Sequence, residues 1–425
     1  MTSTIVISNG QPERFANTSI DLSEKLSDSP FTVDWLLQSL HATDDKFNLL
    51  VEASKVENVT AVNISQGKGF VSKVYNVSIK FANMESPYNV ILKVPGADSF
   101  NDDPNNTTGH EMLSGEFVSK AHNQECDFYN SYAPHIDIPL VKMYKAVEMK
   151  AEEGPGALLM ESMVGSADAC PLSTGATKQQ AYSIAKHLAT LYKYFLCLPR
   201  EQWEGKYKHN SLCSFLKEEV HGLYFDKLTT LQPGVFDEGL KVFRKYVCDK
   251  KFYLYMMTNI HKDIGLPHVL VHGDLWSNNL MWKKNPDGSL SNEIAALIDW
   301  QIIHEGCITN DIARFMTICT DGDVRRECEY EVIEYMYNRI VKLMEKDGRT
   351  VDFSLEQMKR AYQANMIGQT LQLMMMSSFL YSGEGWTPEE TPIKMAQREK
   401  VLLRTRFAME DALEYFKDIP KDRLQ

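Results

Sequence analysis

Alternating apolar and polar positions organise the first part of the chain. Tyr75, Val77, Ile79 and Phe81 are separated by Asn76, Ser78 and Lys80, the period-two signature of a half-buried strand. A second candidate strand over 59–65 precedes it, and a third over 89–94 follows, closed by Pro95-Gly96. Gln66-Gly67-Lys68-Gly69-Phe70 joins the first two, so the three read as an antiparallel meander with a glycine turn. Ahead of the meander, Val33, Leu36, Leu37 and Leu40 recur at helical spacing, which predicts one or two amphipathic helices over 31–55. Residues 1–30 are polar and read as a loose leader, and 97–112 read as a loop. A helix over 113–131 and strands over 142–147 and 157–160 follow.

From 177 the period changes to that of helices. Thr177 and Gln180 have the spacing of a capping box. Ala181, Ile184, Ala185, Leu188, Leu191, Tyr192 and Phe195 then form one apolar stripe. Further helices are predicted near 211–228, 234–262, 309–319, 323–346, 355–381 and 393–417. Residues 269–302 interrupt them with short strands around the turn Asn285-Pro286-Asp287-Gly288. The pattern implies an α+β fold with a small β-rich N-terminal lobe and a large, mostly helical C-terminal lobe. The boundaries read as leader and helices over 1–58, N-lobe over 59–165 and C-lobe over 166–425.

Composition narrows the classes. A length of 425 residues with 44% hydrophobic and 10% aromatic content suits a globular chain of two lobes. A net charge of -12 argues against nucleic acid or an anionic membrane surface as the main partner. No apolar run is long enough for a membrane span, and the first residues make a poor signal peptide, so a cytoplasmic protein is expected. The eight cysteines are scattered without metal-binding spacing and read as free thiols. Oligomeric state is not readable.

The chemistry concentrates in His272-Gly273-Asp274-Leu275-Trp276-Ser277-Asn278-Asn279-Leu280-Met281 and Leu297-Ile298-Asp299-Trp300. An acid, an amide five residues on, and a second acid across a hairpin are the set that phosphoryl transfer from ATP needs. Asp274 follows the apolar run Val269-Leu270-Val271 and is the candidate base. Asn279, with Asn278 as its alternate, and Asp299 are candidate ligands for magnesium. Asp299 ends an apolar strand, where an acid needs a partner. His272 is expected to bond the backbone near Asp299 or Asp274 and fix the loop, and Asp311 to start a helix or tie the Asp274 loop down. Lys93, mid-strand, would touch the α- and β-phosphates, held by Glu125 or by Glu116 nine residues earlier. Gly67-Lys68-Gly69 lets backbone amides approach phosphates. Tyr224, Phe225, Tyr253, Tyr255, Met256, Met257, Tyr381 and Trp386 are as compatible with an apolar substrate wall as with core packing.

These motifs resemble the ecdysteroid kinase-like, or CHK kinase-like, branch of the aminoglycoside phosphotransferase and choline kinase superfamily. The resemblance spans about 60–410 and rests on the H-G-D-x-W-x-x-N-x-M element, Ile298-Asp299-Trp300-Gln301, and Lys93 with Glu125. It implies a two-lobed protein-kinase-like fold, ATP with Mg2+, and a small-molecule alcohol as acceptor. It makes Asp274 the base, Asn279 and Asp299 the metal ligands, and Lys93 the phosphate lysine, with His272 beside the base in the same motif. It makes 157–163, with Glu161 and Met163, the hinge that grips adenine. A steroid or glycosylated metabolite is the acceptor implied, with a choline- or aminoglycoside-type kinase as alternative. A protein kinase is disfavoured, because eleven residues between Asp299 and Asp311 leave no room for an activation segment. An inactive nucleotide-binding scaffold is the remaining alternative.

Overall fold

The computed structural model describes residues 15, 20–65, 71–96, 114–150, 154–208, 216–383 and 385–424. The glycine turn, with Gly67 and Gly69, and the loop expected over 97–112 lie outside the described residues. The chain divides into two compact units, Met1–Thr108 with Lys142–Ser162, and Gly109–Val141 with Met163–Gln425.

In the first unit, helices α1 (Val33–Thr43) and α2 (Asp45–Ala53) precede a five-stranded sheet. Its strands are β1 (Val56–Asn63), β2 (Ser72–Phe81), β3 (Tyr88–Pro95), β4 (Met143–Val147) and β5 (Ala157–Glu161), in the order β1-β2-β3-β5-β4. All neighbours are antiparallel, with Tyr75 opposite Leu92 and Val77 opposite Val90. Tyr75, Val77, Ile79 and Phe81 are fully buried, together with Leu36, Leu37 and Leu40 of α1 and Phe47 of α2. The period-two pattern is therefore one sheet face packed under two helices. Leu26 joins the same core, so part of the expected loose leader is packed. Lys93 pairs with Val74 and Leu158 and, by strand alternation, takes the face opposite Leu92 and Val94.

In the second unit, α3 (Gly115–Asp127) runs into one π-helical turn, Phe128–Tyr132. This helix, expected with residues 59–165, groups with the second unit because Glu125 and Phe128 contact Trp300. Strand β6 (Ala167–Ala169), absent from the sequence reading, precedes α4 (Lys178–Cys197). The Thr177–Gln180 capping box forms, and the whole predicted stripe of α4 is buried. Two small sheets follow from β7 (His268–Val271), β8 (Leu280–Lys284), β9 (Leu290–Leu297) and β10 (His304–Cys307), ordered β6-β8-β9 and β7-β10. Helices α5 (Asn310–Cys319), α6 (Gly322–Lys346), α7 (Leu355–Leu380) and α8 (Thr391–Phe416) complete the unit.

Residues 216–264 depart from expectation. Instead of two long helices they form short α, π and 3-10 turns. Pro233, which lacks an amide donor, and Gly234 at φ +83° separate the two stretches where a boundary was expected, and the breaks within each stretch have no such residue behind them. The fold is otherwise of the α+β class expected, with a β-rich N-terminal part and a mostly helical C-terminal part. Among the described residues no helix is long and apolar enough to cross a membrane. Cys170, Cys197, Cys248, Cys307, Cys319 and Cys328 are free thiols.

Candidate active site

Strand β7 delivers the loop His272–Asn279 and β10 packs beside it. Gly273 takes φ +85°, and a Cβ there would lie 2.6 Å from the Ile302 carbonyl oxygen and 2.7 Å from His304 Nδ1. Only glycine fits this turn. His272 braces the loop with both ring nitrogens. Its Nδ1 accepts from the Asp274 amide at 3.2 Å, and its Nε2 donates to the Ile298 carbonyl at 2.9 Å. The ring thus joins the backbone of Asp274 to the residue before Asp299, and both of its nitrogens are committed there.

Asp311, in the first turn of α5, is completely buried. Its Oδ2 accepts from the His272 amide at 2.8 Å and the Tyr192 hydroxyl at 2.8 Å, and its Oδ1 from the Gly273 amide at 2.9 Å. Burial, with this carboxylate beside it, pushes the Tyr192 phenol far above its ordinary range, so the hydroxyl stays a donor. Asp311 is thus the buried clamp of the loop, and the helix-start role is incidental.

Asp274 is partly exposed. Asn279 is buried while Asn278 is exposed. The Asn279 side-chain amide donates to the Asp274 carbonyl at 2.9 Å and to Asp274 Oδ2 at 3.2 Å. Both N–H bonds being committed there, its Oδ1 is turned the other way. The Asn279 carbonyl accepts from the Ile298 amide at 3.1 Å, and Leu280 pairs with Leu297. The β8–β9 hairpin therefore places Asn279 and Asp299 at the same open end.

Asp299 takes φ +68°, one of two non-glycine residues in the left-handed region among those described. Such a backbone costs ~1–2 kcal/mol and marks functional sites more than structural ones. Trp300 stacks on Phe128 at 3.7 Å with the rings 8° from parallel, and lies 4.5 Å from the His272 ring. Glu125 accepts from the Trp300 amide at 3.2 Å. Burial, then the charges of Glu125 and Asp299, push the Tyr129 phenol far above its usual range, so these two acids lie near one buried ring.

Glu125 is buried and Glu116 is exposed. Lys93 is buried in the first unit, and Glu125 belongs to the second. Glu161 uses its carboxylate on the Lys142 amide at 3.0 Å. The Met163 carbonyl closes a turn with the Ser166 and Ala167 amides at 3.1 and 3.0 Å. Phe225, Tyr253, Met256 and Met257 are core residues, which favours packing over a substrate wall.

Sequence reasoning missed Arg314. It lies on α5 among Ile312, Ala313, Phe315 and Met316, all fully buried, and is itself almost completely buried. Its Nη2 bonds Asp274 Oδ1 at 2.5 Å, and its Nη1 donates to Gln369 Oε1 at 3.0 Å and to Gln372 Oε1. A cation on an apolar helix needs a buried partner, and that signal was available.

The side-chain oxygens of Asn279 and Asp299 are of the donor type that a magnesium ion would take. Magnesium takes one or two protein oxygens and completes its shell with phosphates and water. Among the described residues no group of three or more His, Cys, Asp or Glu side chains could hold a metal ion.

A family model described as "Uncharacterized oxidoreductase dhs-27" (DUF1679) matches residues 46–419. The chain belongs to this family. Among curated relatives it is 26% identical over 358 residues to "Uncharacterized oxidoreductase dhs-27" of Caenorhabditis elegans, covering 82% of this chain and 42% of that protein. The chain thus spans less than half the length of that relative. It is 19% identical over 343 residues to "Uncharacterized kinase-like protein D1044.1" of Caenorhabditis elegans, covering 75% of this chain and 82% of that protein. Among solved structures, it overlaps a putative aminoglycoside phosphotransferase from Ralstonia eutropha at 12% identity and TM-score 0.44, covering 89% of this chain and 98% of the other. A Plasmodium vivax ethanolamine kinase overlaps at 14% identity and TM-score 0.40, covering 88% and 89%.

Proposed function

We propose that this protein is an ATP-dependent small-molecule kinase of the ecdysteroid kinase-like, or CHK kinase-like, type, which phosphorylates a hydroxyl of a small metabolite. The observation that carries the reading is the convergence of Asp274, Asn279 and Asp299. One amide group ties the first two together, and one hairpin end holds the last two. Asp274 accepts the proton of the acceptor hydroxyl as its oxygen bonds to the γ-phosphorus. The bond from that phosphorus to the bridging oxygen breaks, and ADP leaves. Asn279 Oδ1 and the Asp299 carboxylate would hold magnesium, which neutralises phosphate charge when bound. Lys93 would hold the α- and β-phosphates, with Glu125 as its partner. His272 and Asp311 orient the loop without touching the reacting atoms.

The word oxidoreductase stands in the description of the family model and in the name of a relative of which this chain covers 42%. A dinucleotide-binding domain rests on a parallel sheet. Every pair of named strands described here is antiparallel. That favours phosphoryl transfer as the activity of this chain.

Calorimetric titration with Mg-ATP and turnover with labelled ATP in a metabolite extract test the reading. Asp299→Ala should lose Mg-ATP affinity. Asp274→Asn should keep it and lose turnover by roughly 10²–10⁴-fold. An Asp274→Asn variant as fast as the parent would remove the assigned base, and a parent that leaves ATP intact would favour the inactive scaffold.

A further inference from the structure

Most of the charged groups buried in the second unit serve packing. Arg325 is paired with Glu329 on its own helix and with Asp411 of α8, and Arg404 with Asp321. Arg314 differs, because its buried guanidinium ends on the one partly exposed carboxylate of the catalytic loop. Its side chain is 4% exposed and that of Asp274 18%.

An aspartate side chain turns easily about its last torsion. A base that must meet an incoming hydroxyl in one direction gains from having each oxygen held. Asp274 has one donor on each: Arg314 Nη2 on Oδ1 at 2.5 Å and Asn279 Nδ2 on Oδ2 at 3.2 Å. Arg314 is itself held at the other arm of its fork. Nη1 donates to Gln369 and Gln372, which lie three residues apart on one face of α7. Gln369 Nε2 donates back to Asn310 Oδ1 at 3.1 Å, and Asn365, one turn earlier, accepts from the Thr309 hydroxyl. A buried polar ladder of Asn365, Gln369 and Gln372 therefore fixes the start of α5. That one helix then reaches the catalytic loop twice. Asp311 holds its backbone, and Arg314, three residues later, holds the carboxylate.

We infer that Arg314 is the positioning residue for Asp274, set by the Gln369–Gln372 pair of α7. The inference rests on the kinase reading. A guanidinium is suited to this task because its planar fork serves two partners in fixed directions, which a lysine ammonium does not.

The test is ATP consumption by the full chain with Mg-ATP alone, water serving as acceptor, for parent, Arg314→Ala and Arg314→Lys. Arg314→Ala should lower kcat by roughly 10²-fold with KM for Mg-ATP within about twofold, since orientation rather than nucleotide binding is lost. Millimolar guanidinium chloride should restore part of the Arg314→Ala rate and none of an Asp274→Asn rate. Arg314→Lys should fall between parent and alanine variant, and it carries the test if the alanine variant does not fold. A kcat equal to the parent, or a loss that guanidinium does not repair, overturns the inference while leaving the kinase reading intact. A parent that consumes no ATP overturns that reading and this inference with it.

Discussion

Replacing Asp311 by Asn removes one acceptor oxygen from the clamp while keeping its volume. In the parent, three donors reach this fully buried carboxylate: the His272 and Gly273 amides and the Tyr192 hydroxyl, at 2.8, 2.9 and 2.8 Å. An asparagine oxygen in the Oδ2 place keeps His272 and Tyr192 but turns its NH2 group against the Gly273 amide. The flipped rotamer keeps Gly273 and loses the other two. A hydrogen bond to a charged group is worth about 1.5–3 kcal/mol, and a buried donor left unpaired costs a similar amount. The expected loss is therefore ~3 kcal/mol. At 2–4 °C per kcal/mol for a unit of this size, the thermal midpoint should fall by roughly 6–12 °C. Tyr192→Phe removes one donor and leaves both amides paired, so its loss should be nearer ~1 kcal/mol. Thermal unfolding followed by circular dichroism on both variants reads the difference, and Mg-ATP turnover of Asp311→Asn should fall at least tenfold because Asp274 follows the loosened amides. An Asp311→Asn variant that unfolds with the parent and turns over as fast would refute the clamp.

Two further outcomes are expected. Gly273→Ala places a methyl 2.6 Å from a backbone oxygen at φ +85°. It should cost ~2 kcal/mol or more and abolish turnover, and recovery of soluble, fully active protein would contradict the turn geometry. Burial, helped by the nearby Lys186 and Arg339 charges, lowers His187 from 6.5 to about 4. The unfolded chain then binds a proton that the folded one refuses, so this contribution is complete above pH 6.5 and is lost as pH falls toward 4. Burial lowers His221, His261, His268 and His304 in the same sense. The thermal midpoint should therefore drop between pH 7 and 5, less steeply in His187→Gln, and identical slopes would exclude a role for that ring.

What could be read from the chain were features that depend on neighbours in sequence. The alternation of β2 placed Tyr75, Val77, Ile79 and Phe81 on one buried face, and the Thr177–Gln180 box and stripe of α4 formed as spaced. Both follow from backbone periodicity, which needs no knowledge of what packs where. The loop motif singles out Asp274, Asn279 and Asp299 as candidates, and the β8–β9 hairpin brings the last two to one end. Other features waited on the tertiary structure. The choice of Asn279 over Asn278 turned on which side chain the β8–β9 hairpin buries. The short α, π and 3-10 turns over 216–264 replaced two predicted helices, since apolar spacing reports a helical period but not how neighbouring elements divide it into separate turns. Asp311 and Arg314 acquired their roles only when α5 came against the loop and against α7. A buried charge announces in sequence that it needs a partner, but only packing of distant elements decides which partner it meets.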